Sequence, residues 1–158
     1  MSTLIVYMTK HGATEKNLTF LKSHLKDQNI ETCNLKKAKC NPEKYDNIII
    51  GGSIHAGGIQ GKIKKFCQKY EDLLLSKKLG IFITCMEEGE EAREYFSKNF
   101  PEKLLKHAHS TALFGGKFDF EKMNFVEKAI VKKITGFDKT ISHIDEGKVA
   151  EFAKEFTA

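Results

Sequence analysis

The chain has no tryptophan, no CxxC pair and no long apolar run. Without tryptophan, no indole can stack on a bound ligand. A bilayer span needs about 20 consecutive apolar residues, so no transmembrane helix is expected. The first residues do not lead from a basic segment into an apolar stretch and a cleavage site, which predicts a cytoplasmic protein without a secretory signal. The four cysteines, Cys33, Cys40, Cys67 and Cys85, do not group with histidines at ligand spacing. No metal site is therefore expected, and the rarity of cytosolic disulfides predicts four reduced, structural thiols. Neither the GxxxxGKS/T loop of nucleotide hydrolases nor the GxGxxG of dinucleotide binders is present.

What is present describes a globular chain. Of its 158 residues, 41% are hydrophobic and 30% charged, which excludes global disorder. The length suits one domain spanning 1–158, and no linker, repeat or low-complexity segment divides it. The net charge is +5, with lysines gathered in residues 36–39, 62–69 and 128–133. Residues 87–94 instead hold five glutamates. The lysines are either solvated faces or contacts for an anionic membrane surface. They lack the interleaved aromatics of a nucleic-acid interface, so nucleic acid is not an expected partner.

Strand and helix patterns alternate from end to end. Short continuous apolar runs predict strands at 3–8, 47–52, 79–84 and 111–115, buried on both faces, and a fifth strand is expected at 30–35. Between them, Leu18, Leu21 and Leu25 share a helical stripe. A second amphipathic helix is predicted over 60–75, with Ile63, Phe66, Cys67 and Tyr70 inward. A third is predicted over 88–106, interrupted by Pro101. The next runs from 121 to 135 with Met123, Val126, Ile130 and Ile134 inward, and the last from 146 to 157 with Val149, Phe152, Ala153 and Phe156 inward. This alternation predicts an α/β fold with a parallel sheet and helices on both faces.

In such a sheet, ligands sit beyond the carboxyl ends of the strands. Three loops leave those ends. In the first, Thr9-Lys10-His11-Gly12-Ala13-Thr14 joins a strand to a helix. Its backbone N–H groups and helix dipole would suit one phosphate, with Thr9 and Thr14 as hydroxyl donors. It could equally be an ordinary turn with Thr14 as N-cap. The second loop, "GGSIHAGGIQGK" (51–62), holds five glycines around His55. That histidine either faces solvent or serves as a proton acceptor, since an imidazole titrates near neutrality. The third, "TCMEEGEEAREYF" (84–96), is polar and acidic. It starts beside Cys85, which is either an inert buried thiol or a redox-active one.

Together these loops resemble the FMN site of the flavodoxin fold. "YDNIIIGGSIHAGGIQGKIKKFCQKY", "ALFGGKFDFEKMNFVEKAIVKKITGFDKT" and "KVAEFAKEFT" are similar to segments of the flavodoxin-like, menaquinone-dependent protoporphyrinogen IX dehydrogenases. The resemblance implies a flavodoxin-like three-layer sandwich with a five-stranded parallel sheet in the order 2-1-3-4-5. It also implies FMN as cofactor, a porphyrinogen-type donor, a quinone acceptor and a place in heme biosynthesis. By the same resemblance, Thr9, Lys10, His11, Gly12, Ala13 and Thr14 would hold the FMN phosphate. Ser53, Ile54, His55, Ala56 and Gly57 would lie along the flavin ring, and Thr84, Cys85 and Met86 on its other side. Gly116, Lys117 and Phe118 would stand near the rim where substrate docks, and His55 would be the candidate catalytic residue. Lys117 and the lysines of the 121–135 helix would attract substrate propionates or anionic lipid, giving peripheral contact at the inner face of the cell membrane.

One departure from electron carriers favours the dehydrogenase: no aromatic lies between Gly51 and Ile63, where carriers of this fold commonly stack a ring. One departure from the dehydrogenases keeps a second function open. The segment after the fourth strand is longer and basic in the dehydrogenases, but shorter and acidic here. The alternative is therefore an electron carrier between protein partners, with no small-molecule substrate of its own.

Overall fold

The computed structural model describes residues 2–8, 13–25, 29–55, 57–86, 89–118, 124–135, 141–142 and 144–158. Along the chain run β1 (Ser2–Tyr7), α1 (Ala13–His24), β2 (Asn29–Asn34), β3 (Asn47–His55) and β4 (Gly58–Ile59). Next come α2 (Gly61–Lys69), α3 (Glu71–Leu75), β5 (Lys78–Cys85), α4 (Gly89–Asn99), α5 (Glu102–His107) and β6 (Ser110–Gly115). The last elements are β7 (Lys117–Phe118), α6 (Phe125–Thr135), β8 (Ile141–Ser142) and α7 (Glu146–Thr157). The main sheet has the order β2-β1-β3-β5-β6, all parallel. This is the predicted 2-1-3-4-5 order once the short β4, antiparallel to the end of β3, is set aside.

The continuous apolar runs conceal a period of two. Leu4, Val6, Ile48, Ile50, Ile81 and Ile83 face one side, where α2 to α5 supply Ile63, Phe66, Leu74, Tyr95 and Leu104. Ile5, Ile49, Phe82 and Phe114 face the other, against Leu18 and Leu21 of α1 and Val149, Phe152 and Phe156 of α7. Each fully buried side chain of this kind contributes about 1.5–3 kcal/mol of transfer free energy, which is why both faces must be covered. Gly51 makes room for the second layer: a Cβ there would fall 1.9 Å from Phe82 Cζ.

Several boundaries follow local chemistry. Pro101 separates α4 from α5 and acts as the N-cap of the latter, because proline has no N–H to continue a helix. The predicted 60–75 helix is divided at Tyr70, where φ is −110° and ψ 18°. Ile63, Phe66 and Cys67 are buried as expected, whereas Tyr70 is only half-buried. The α7 stripe of Val149, Phe152, Ala153 and Phe156 is fully buried. Asp145 caps that helix, its side chain accepting from Gly147 N at 2.8 Å.

Two expectations are overturned. Cys33 and Cys40 form a disulfide, with their Cα atoms 5.9 Å apart, so the four cysteines are not all reduced. The turn after β2 brings them together: Lys37 N and Ala38 N both donate to Asn34 O at 3.0 Å, folding the chain back on the end of the strand. Cys67 and Cys85 are buried thiols, as predicted. On α6, Val126 and Ile130 are 64% and 51% exposed rather than inward. None of that helix's described side chains joins either apolar layer, so Val126 and Ile130 mark an outward stripe. Met123, and the side chain of Ile134, lie outside the described residues.

Candidate functional site

Strand order reverses at β1, which lies between β2 and β3. The connections after β1 and β3 then leave for opposite faces, α1 on one side and α2 on the other, and a crevice opens between the two strand ends. Met8 N donates to Gly51 O at 3.3 Å and Leu35 N to Tyr7 O at 2.9 Å, fixing the crevice floor. The Tyr7 phenol is held above its usual pKa, chiefly by burial and then by the Glu15 carboxylate, against a hydrogen bond from Asn34. α1 begins at Ala13, which puts Thr14 inside the first helical turn rather than at the N-cap. Thr9, Lys10, His11 and Gly12 lie outside the described residues, as do the side chains of Ala13 and Thr14.

The second and third loops meet. Ser53 and Thr84 are paired in the β3–β5 register, both buried, with Thr84 Oγ1 2.9 Å from Ser53 Oγ. Ile54 and Met86 are half-buried beside them. Gly116 N donates to Cys85 O at 2.8 Å. A Cβ on Gly116 would lie 2.8 Å from Cys85 C and 3.0 Å from Met86 N, so only glycine lets the end of β6 close on the end of β5. Ser53, Thr84, Cys85, Met86 and Gly116 are thus brought together. Ala56 lies outside the described residues, and so do the side chains of His55, Lys117 and Phe118, although His55 ends β3 and Lys117 and Phe118 form β7.

Three polar side chains complete the site without having been singled out in the sequence. Asn99, buried on α4, accepts from Ile59 N at 3.1 Å and donates to Gly57 O at 3.1 Å and Tyr95 O at 2.9 Å. It thereby pins the β3–β4 hairpin, in which Gly57 takes φ +79°, a conformation open to glycine. Gln60 accepts from Ser53 N at 3.1 Å, while its buried Nε2 has no hydrogen-bond partner among the described residues. Asn17, fully buried on α1, donates to Gly115 O at 3.2 Å and leaves Oδ1 unpartnered among the described residues. Buried polar atoms are nearly always satisfied, so these two orphans beside the strand ends fit a ligand with its own donors and acceptors. Asn17 carried a faint signal, being an asparagine beside an apolar helical stripe, where its side chain competes with the backbone. Asn99 and Gln60 carried none.

A helix start past β1, hydroxyls at the ends of β3 and β5, and orphaned amide atoms can hold a phosphate and a polar-edged ring. Comparison with known proteins agrees with this geometry. A profile of the flavodoxin domain matches residues 4–144. The Escherichia coli K12 protein named protoporphyrinogen IX dehydrogenase (quinone) is 25% identical over 171 aligned positions, covering 98% of this chain and 94% of that protein. Among solved structures, oxidised flavodoxin 1 from Bacillus cereus superposes with a TM-score of 0.61 at 19% identity, over 99% of this chain and 97% of that one. Fusobacterium nucleatum flavodoxin bound to flavin mononucleotide gives a TM-score of 0.54 at 14% identity, over 99% and 98%. With the family profile spanning nearly the whole fold and the strand order in agreement, the chain belongs to the flavodoxin domain family.

Proposed function

We propose that this chain is an FMN-dependent oxidoreductase that takes electrons from a porphyrinogen-type donor and passes them to a quinone. The observation that carries this reading is the end-to-end similarity to the Escherichia coli dehydrogenase, over 98% of this chain. In this reading residues 1–158 form one flavodoxin-like domain. Bound FMN supplies the acceptor for electrons or hydride. The protein supplies position and electrostatics. Thr9, Lys10, His11, Gly12, Ala13 and Thr14 hold the phosphate at the start of α1. Ser53, Ile54, His55, Ala56 and Gly57 line one side of the ring, and Thr84, Cys85 and Met86 the other. Gly116, Lys117 and Phe118 form the rim, and His55 takes up a proton released by the donor.

A quinone acceptor is lipid-borne, and the reading includes a peripheral contact of this cytoplasmic protein with the inner face of the membrane. No helix among the described residues is long and apolar enough to cross a bilayer. On α6, however, Phe125, Val126 and Ile130 are 86%, 64% and 51% exposed, with Lys132 and Lys133 exposed nearby. An apolar stripe flanked by lysines suits the headgroup region of an anionic bilayer.

The second reading, an electron carrier between proteins, draws support from the exposed Glu90, Glu91 and Glu94 on α4, which follows the site end of β5. Acidic surface there would steer a basic redox partner. Anaerobic titration of the FMN-reconstituted protein with protoporphyrinogen IX separates the two. Bleaching of the flavin bands by the donor supports the dehydrogenase. Bound flavin that stays oxidised, with two well-separated one-electron potentials, supports the carrier.

A further inference from the structure

β6 is the last strand of the main sheet among the described residues, and none of the described strands pairs with its outer edge. A cavity of about 640 Å³ runs along that edge, between α4 and α5 on one side and α7 on the other. Its size is that of a site for a drug-sized organic molecule. Phe96, Leu105 and Leu113 give it apolar walls, and one end abuts Cys85, next in the chain to Thr84 of the site.

The polar lining has one sign. Arg93 and Lys148 line the cavity, and no acidic side chain among the described residues does. Neither cation is ion-paired among the described residues. Arg93 is also the only arginine in a chain with 25 lysines. A guanidinium offers a planar fork that matches a carboxylate with two parallel hydrogen bonds, which an ammonium does not. Apolar walls with two unpaired cations suit a molecule that is apolar in its body and anionic at its margin.

We propose that this cavity binds an apolar ring compound bearing carboxylates, with Arg93 and Lys148 as its carboxylate anchors, as a docking site adjoining the flavin site and distinct from it. The identity of that compound as the electron donor rests on the proposed function; binding itself needs no flavin. Because β5 lies between β3 and β6 in the sheet, the cavity along β6 is on the far side of β5 from the β1–β3 crevice, and FMN and the ring compound are held at the same time.

Mesoporphyrin IX, an aromatic dicarboxylate, is the probe. Its binding to the FMN-loaded protein is followed by porphyrin fluorescence, alongside FMN affinity, for the parent, Arg93→Gln, Arg93→Lys and Lys148→Gln. Arg93 is exposed, where an ion pair is typically worth up to about 1 kcal/mol, so Arg93→Gln is expected to weaken the probe by up to about fivefold at unchanged FMN affinity. Arg93→Lys should recover part of the loss, and etioporphyrin, which lacks carboxylates, should bind no better to the parent than to Arg93→Gln. Probe affinity unchanged in both glutamine variants overturns the proposal. So does a parallel loss of FMN affinity, which would make the cavity part of the flavin site, or a concentration-dependent dimer abolished by Arg93→Gln, which would make it an interface between copies. Flavin reduction by protoporphyrinogen IX distinguishes the two levels. A probe seated in the cavity with no flavin reduction leaves this site standing and removes the donor reading; flavin reduced by the donor, with probe affinity unchanged in Arg93→Gln/Lys148→Gln, removes this site and leaves the donor reading standing.

Discussion

Asn99 makes three hydrogen bonds from one buried amide, two of them to the hairpin that carries Gly57 and Ile59. Replacing it with leucine keeps the branched shape and removes the partners that the amide gives Ile59 N and Gly57 O. A buried unsatisfied group costs about 1–3 kcal/mol, so Asn99→Leu should lose about 2–4 kcal/mol in urea unfolding. FMN binding, read by flavin fluorescence quenching, should fall beyond what the stability loss explains, because the hairpin loses its fixed position. Asn99→Asp, which keeps the acceptor for Ile59 N, should lie between; affinity equal to the parent in both variants would remove Asn99 from the site. The Cys67 thiol is pushed up to about 12, first by burial and then by Glu71. The folded protein therefore keeps this proton where the unfolded chain, near 9.0, has released it. That stability is fully present below pH 9.0 and declines as pH rises towards 12. At pH 8 Cys67 should resist an aromatic disulfide reagent until urea is added; rapid labelling of the native protein would contradict the burial.

At the scale of elements, α6 carries regular apolar spacing whose described positions do not point inward. Its predicted inward positions Val126 and Ile130 face solvent together with Phe125. Spacing alone gives a stripe but not its direction, because a helix docked on the sheet and one laid on a bilayer share the 3.6-residue period. Phe125→Ser/Ile130→Ser should greatly reduce co-sedimentation with vesicles containing anionic lipid and leave the thermal unfolding midpoint within about 2 °C, since exposed positions add little to folding. A large fall in the midpoint would show that the stripe packs on the protein. The disulfide is an element-level result as well. Cys33 lies one residue before the end of β2 and Cys40 follows a turn, and the seven-residue separation gives no motif until the turn around Asn34 is known.

Across the whole molecule, the two apolar layers meet the site through the strands they share. Gly51 and Phe82 are register partners on β3 and β5, and the Phe82 ring fills the space a side chain at 51 would need. Phe82 in turn stacks on Phe114 at 4.7 Å between centroids and meets Phe152 edge-on at 6.2 Å. Overpacking typically costs about 1–3 kcal/mol, so Gly51→Ala should destabilise by that order. Phe82→Leu should cost about 1–2 kcal/mol through lost packing. In the double variant the shortened side chain relieves the clash, and the summed loss should fall short of additivity by at least about 0.5 kcal/mol. Strict additivity in denaturant unfolding would mean that Gly51 does not serve the Phe82 ring.

The amino-acid pattern alone determined the alternating elements, the five principal strands and the crevice loops, because periodicity and turn chemistry are local and a doubly wound sheet follows from them. It also brought Ser53, Thr84, Cys85, Met86 and Gly116 to one end of the sheet, since strand order and direction fix which loops meet. Tertiary structure decided what depends on distant partners. The Asn99 clamp spans about 40 residues of sequence, so no window of residues reveals it. The Cys33–Cys40 bond depends on how a turn folds, the outward face of α6 on which layers were already filled, and the cavity beside β6 on an edge left open. Each is settled by packing and chain reversal rather than by the propensity of any one segment.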